Sequence, residues 1–275
     1  MATNAEKLAE RTRRPDVLSG TPRANAIDRW IFVAMAAWFI VIVLAGFIPD
    51  SIMKIGMVKA GTRPPFPLVL HLHGLVMGSF LLLLFTQTWL MATGRRAQHM
   101  KLGIFGMVLA AVLVAVGLVL APTMYYETWN ALKTAPPAQR GALQTLLSIK
   151  EDILLLQLRI GILFPLFLII GLRARGRDAG LHKRMMILAV AMALPAGIDR
   201  IPWLPTTMPV SPLSVDLYTI LAILPMLVWD VIRNRSLHRA YWIWFGVTLP
   251  VAVVVNLLWD TPAWHATAQR ILGVG

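Results

Sequence analysis

The sequence predicts an all-α integral membrane bundle of seven transmembrane helices, with the N-terminus cytoplasmic and the C-terminus outside. Three observations carry this. Hydrophobic residues make up 57% of the 275 positions and charged residues only 14%, against about 25% charge in an ordinary soluble domain. Seven apolar segments approach the roughly 20 residues needed to cross about 30 Å of hydrocarbon. The Lys and Arg excess, a net charge of +13, collects in alternate short connectors, as expected of cytoplasmic loops.

Residues 1–29 form a basic cytoplasmic tail with Lys7, Arg11, Arg13, Arg14, Arg23 and Arg29. It is too long and polar for a signal-peptide n-region, so the first span is expected to be uncleaved. The spans fall near 30–48, 67–92, 102–121, 153–172, 185–203, 213–232 and 241–259, giving a transmembrane domain over 30–260. The fifth is interrupted by Pro195, Asp199 and Arg200. Connectors bearing Arg95, Arg96 and Lys101, then Arg173, Arg175, Arg177, Lys183 and Arg184, then Arg233, Arg235 and Arg239 mark the cytoplasmic side.

The outer connectors are longer. Residues 49–66 hold Pro64 and Pro65 ahead of Pro67, which suits a first helical turn. Residues 122–152 carry Tyr125, Tyr126 and Trp129 in an amphipathic stretch suited to the headgroup level. Residues 204–212 read as a Pro-rich cap and 261–275 as an external tail.

Composition also excludes chemistry. The chain has no cysteine, so disulfides, thiolate metal sites, iron–sulfur clusters and a Cys nucleophile are absent. The basic residues sit at span ends, so lipid is the expected partner, with other membrane proteins, and nucleic acid is not. There is no Gly-rich phosphate loop, nucleophile elbow or deaminase pattern, and Met185, Met186 and Met192 read as packing.

Candidate functional residues are the titratable groups that lipid makes costly. His99 and His182 open the third and fifth spans within similar connectors, Gly94-Arg95-Arg96-Ala97-Gln98-His99-Met100-Lys101 and Gly176-Arg177-Asp178-Ala179-Gly180-Leu181-His182-Lys183. If the two spans are neighbours, these imidazoles can hold a haem iron or another transition metal from both sides; the plainer alternative is lipid-phosphate contact. His71 and His73 lie just inside span two, pointing about 200° apart on a regular helix. Gly74 and Gly78 beside them permit close helix approach. Arg159 is expected about 9 Å inside the hydrocarbon, with Glu151, Asp152 and Asp199 as available partners. Together His71, His73, Glu151, Asp152, Arg159, Asp199 and Arg200 outline one outer-leaflet polar pocket, with His and carboxylate ligands for a metal and Arg159 for an anionic group. Asp230 is expected to pair with Arg233, and Asn256 and Asp260 to extend the outer pocket.

The strings Phe66-Pro67-Leu68 and His71-Leu72-His73-Gly74, then Gln87 and Gly94-Arg95…His99…Leu102-Gly103, are joined by His182-Lys183-Arg184-Met185 and Pro195…Arg200. This pattern over residues 66–203 resembles a group of uncharacterised bacterial multi-spanning membrane proteins. The resemblance implies a bacterial plasma-membrane location and a role for these histidines. A looser similarity to membrane b-type cytochromes, resting on histidines at helix ends, implies haem b. The expectation is therefore His-dependent haem or metal binding in a redox setting, which would include a membrane oxidoreductase. A small-molecule transporter or sensor using the outer pocket, and a structural subunit of a membrane complex, stay open.

Overall fold

The computed structural model describes Leu18 and residues 24–275. Most of the predicted basic tail lies outside the described residues. Among the described residues the regular structure is helical apart from turns: α1 (Ala26–Lys59), α2 (Leu68–Ala92), α3 (Arg96–Thr134), α4 (Pro137–Ala174), α5 (Ala179–Ala191), α6 (Leu194–Ile198), α7 (Leu213–Asn234), α8 (Arg239–Leu258) and α9 (Pro262–Ile271). Six of them, α1 to α4 with α7 and α8, are long and apolar enough to cross a membrane. The chain is a multi-pass membrane protein.

Local chemistry fixes the helix starts. Asn25 and Asp28 form a reciprocal capping box at α1, the Asp28 N–H donating to Asn25 Oδ1 at 2.9 Å and the Asn25 N–H to Asp28 Oδ2 at 2.8 Å. Asp178 caps α5 by accepting the Leu181 N–H at 2.8 Å, and Thr261 caps α9 through the Trp264 N–H. Gly94, at φ +76, takes the left-handed turn that ends α2 and releases α3.

Two of the predicted outer connectors, 49–66 and 122–152, are much shorter than expected, while the third, 204–212, begins earlier, at Asp199. α3 continues unbroken through Pro122 to Thr134, and α4 starts at Pro137. Residues 122–152 are therefore mostly the far ends of two long helices rather than a connector. At 1.5 Å per residue each helix runs about 57 Å, close to twice the hydrocarbon thickness. The tail expected over 261–275 is largely helical, and α9 lies against α4.

The fifth apolar segment departs furthest from a plain span. It is split at Met192 and Ala193 into α5 and α6. Pro195 has no N–H for the Ala191 carbonyl, so the α-helical ladder cannot continue through it. Tighter bonds from Met192 N to Ala189 O (3.2 Å) and Ala193 N to Val190 O (3.0 Å) close the first piece. The Trp244 indole N–H, from α8, takes the Leu188 carbonyl at 3.0 Å. Helix breaks of this kind persist at depth only where protein surrounds them, and here it does. Met185 and residues 187–192 are at most 1% exposed.

That burial defines the architecture. The α5–α6 segment is the axis of the bundle, in contact with α1, α4, α7 and α8, while α2 and α3 form a flanking hairpin against α1 and α4. Small residues let the backbones touch: a Cβ added at Gly46 of α1 would lie 2.0 Å from the Gly197 carbonyl oxygen of α6. The axial segment begins where His182 meets Gly171 of α4 and ends where Arg200 meets Asp50 of α1. Leu75, Leu82, Ile104 and Val108 on the flanking hairpin point outward, as lipid-facing side chains should.

Candidate functional site

The basic connectors gather at one end of the bundle. There Arg233 of α7 grips Asp28 of α1, with Nη2–Oδ2 at 2.8 Å, helped by the Trp229 indole N–H at 3.0 Å. Arg239 of α8 meets Asp178 at 2.6 Å. Burial alone would push the Asp178 carboxyl up, but the Leu181 N–H and the Arg239 charge outweigh it and hold the carboxyl below its ordinary range.

Between these clamps His99 and His182 come together. Their ring centroids are 6.4 Å apart and their planes cross at 83°. Each ring is held the same way: His99 Nδ1 faces the Gln87 carbonyl of α2 at 3.3 Å, and His182 Nδ1 faces the Gly171 carbonyl of α4 at 2.8 Å. A carbonyl only accepts, so Nδ1 carries the proton and donates. In the neutral ring Nε2 then keeps its lone pair, the tautomer of a metal-ligating histidine steadied by its backbone. The two similar connectors thus build equivalent hairpins, each with a histidine near the start of its second helix bonded back to the first.

Glycine makes the second hairpin possible. A Cβ at Gly171 would meet Met186 Cε at 2.4 Å and Met185 Cβ at 2.9 Å, so only hydrogen allows α5 to lie this close. Two residues beyond His182, the Arg184 and Asp230 side chains are fully buried and joined by two bonds, Nε–Oδ2 at 2.5 Å and Nη2–Oδ1 at 2.7 Å. Arg184 Nη1 also donates to the Gly180 carbonyl at 2.9 Å, and Asn234 donates to Asp230. The expected Asp230–Arg233 pair is therefore not formed, because Asp28 claims Arg233 while the axial helix presents Arg184 directly to Asp230. Gln87 Oε1 is buried and accepts no hydrogen bond from the described residues. A nearby groove between α3 and α4 is lined by Met107, Ile169 and Leu172, with Arg173, Arg175 and Arg177 at its rim.

The other end holds the remaining predicted residues, distributed over separate arrangements instead of one pocket. His71 is exposed and stands edge-on to Phe66, centroids 6.0 Å apart. His73 is half-buried, and its Nδ1 is buried with no hydrogen-bond partner among the described residues. Arg159 pairs with Asp216 in the first turn of α7, at 2.6 Å, and with none of Glu151, Asp152 or Asp199. Asp152 lies about 10 Å up the same helix, and its carboxylate is engaged by the Asp260 N–H at 2.9 Å. Asp199 lines a cleft with Asp50, Lys54 and Arg200.

Glu151 and Asp152 belong to a knot that ties α9 to α4. The buried Glu151 carboxylate accepts from the Tyr125 hydroxyl at 2.9 Å and Gln269 Nε2 at 3.0 Å, and pairs with His265 Nδ1 at 2.8 Å. Its backbone carbonyl accepts the Trp264 indole N–H at 2.8 Å. Asp260 does join this group, as its position at the end of α8 suggested. Asp216, His265 and Gln269 were missed. Asp216 had a readable signal, a lone carboxylate within an apolar run; His265 and Gln269 had only the amphipathic spacing of a short tail.

Comparison of the chain with protein-family models, curated proteins and solved structures returned no match.

Proposed function

We propose that this is a plasma-membrane protein of seven crossing segments, the α5–α6 axis being the fifth, with the basic connectors in the cytoplasm. In this reading it binds a haem iron or another transition-metal ion between His99 and His182 and serves a redox reaction. The supporting observation is the histidine pair itself, two imidazoles with Nδ1 bonded to backbone carbonyls and no Nε2 hydrogen bond among the described residues. The ring centroids lie 6.4 Å apart, near enough for both imidazoles to hold one ion at metal–nitrogen bonds of about 2.0–2.1 Å.

The bound group would supply electron transfer; the chain supplies position and charge. The carbonyls of Gln87 and Gly171 fix both tautomers. The Arg184–Asp230 pair holds the helix that carries His182. Arg173, Arg175 and Arg177 offer charge to anionic substituents such as propionates, and Gln87 Oε1 offers a free acceptor. Detergent-purified protein should show a Soret band, or one equivalent of transition metal, lost in both His99→Ala and His182→Ala. A protein whose spectrum and metal content are unchanged by those substitutions overturns the reading.

A second reading, a small-molecule transporter or sensor, is favoured by the break in the axial helix and the cleft lined by Asp50, Lys54, Asp199 and Arg200 at its end. It predicts a colourless protein in which Asp199→Asn alters ligand binding and His99→Ala does not.

A further inference from the structure

We infer that Asp152, Asp260 and His265 form a divalent transition-cation site at the Glu151 end, separate from the histidine pair. Each offers a ligand atom, and these atoms lie within 4.8 Å of one another, an arrangement unique to these three among the described His, Asp and Glu residues.

Two further observations point to a cation. The first is charge. Asp152 is 4% exposed, yet no Lys or Arg pairs with it among the described residues. Its Oδ1 accepts a backbone N–H, and its other oxygen has no hydrogen-bond partner among them. A buried carboxylate is costly unless its charge is offset, and the cationic group facing Asp152 among the described residues is the His265 ring, which Glu151 and Asp260 share. The second is orientation. His265 Nδ1 is taken by Glu151 Oε2 at 2.8 Å, which turns Nε2 toward Asp260 Oδ1 at 3.4 Å. A carboxylate behind the imidazole with the other nitrogen presented is the support that metal-ligating histidines use.

One imidazole and two carboxylates suit zinc or manganese, which take nitrogen and oxygen donors. Ligand atoms around zinc stand about 3.5 Å apart, so the group must close slightly. The Asp260 side chain is 80% exposed and free to make that movement, while its backbone stays anchored to Asp152. The ion would join the α8–α9 turn, through Asp260, and α9, through His265, to α4.

The test compares wild type with Asp260→Asn by equilibrium dialysis against Zn2+ and, separately, Mn2+, using detergent-purified full-length protein. The difference between the two proteins reads this site, so the result does not depend on whether His99 and His182 hold a metal. The expected result is one fewer bound equivalent, or at least tenfold weaker binding, in Asp260→Asn, and a metal-induced rise in wild-type Tm that the variant lacks. Asp260 is exposed and at a turn, so the variant should fold; His265→Gln gives a second measurement of the same loss. Equal stoichiometry and affinity in wild type and both variants overturn the site.

Discussion

The two ends of this bundle solve the same problem, a histidine ring held in one orientation, with different material. At the His99 end each imidazole leans on a backbone carbonyl only 12 or 11 residues earlier in the chain. At the Glu151 end His265 leans on a carboxylate 114 residues away, and Asp260 on one 108 residues away. The first arrangement is completed within single hairpins. The second exists only once α9 has docked. The His99 end should therefore depend on close helix packing, and the Glu151 end on charge that holds a late-arriving element in place.

The largest expected effect lies behind the histidine pair. Arg184→Ala strips the buried Asp230 carboxylate of its guanidinium, and Asp230→Ala strips Arg184 of its two-bond carboxylate, each a loss of about 3–5 kcal/mol, read as a large drop in Tm in detergent. The double substitution Arg184→Met with Asp230→Leu should recover most of it. If either single change is as mild as a surface substitution, the axial helix is not held as described.

Next come two changes that set the ends against each other. Gly171→Ala forces a methyl onto Met185 and Met186, costing about 1–3 kcal/mol by overpacking; it should displace His182 and disturb any metal spectrum while leaving α9 protected. Glu151→Gln removes the charge from a buried hub of hydrogen bonds, about 1–3 kcal/mol. It should speed tryptic cleavage at Arg270 without touching the histidine pair. Equal effects of both variants on both readouts would erase the distinction between the ends.

The smallest effect concerns pH. The Asp178 carboxyl is held below its ordinary range, so it adds stability above the unfolded value of about 3.9 and loses it as pH falls through the lower folded value. Asp178→Asn keeps the helix cap but removes the charge facing Arg239. Its stability should therefore fall less steeply than wild type below about pH 4, by under about 1 kcal/mol because the pair is exposed. Parallel curves would show that the pairing with Arg239 contributes nothing.

How much of this was readable in the sequence follows the same division. Apolar runs gave all six long helices, because lipid demands a span-length segment whatever its neighbours do. The similarity of the Gly94 and Gly176 connectors hinted at a repeated hairpin, and it allowed His99 to meet His182 only if their two spans were neighbours. The fifth segment was readable as apolar and interrupted, but not as a split axis, because its burial is set by four other helices. Partner choice was least legible: Asp230 had Arg233 three residues away yet found Arg184, and Arg159 had Asp152 on its own helix face yet found Asp216. Both outcomes turn on how distant helices rotate against one another. His265 was passed over because a ten-residue terminal helix has meaning only beside the helix it caps.

The reach of α3 and α4 has a practical consequence. Their turn at Ala135 and Pro136 stands about 20 Å past the end of the apolar run at Ala121. The chain has no native thiol, so a single cysteine placed at the exposed Thr134 would be its only one. A membrane-impermeant maleimide applied to whole cells would then report which side of the membrane that tip occupies.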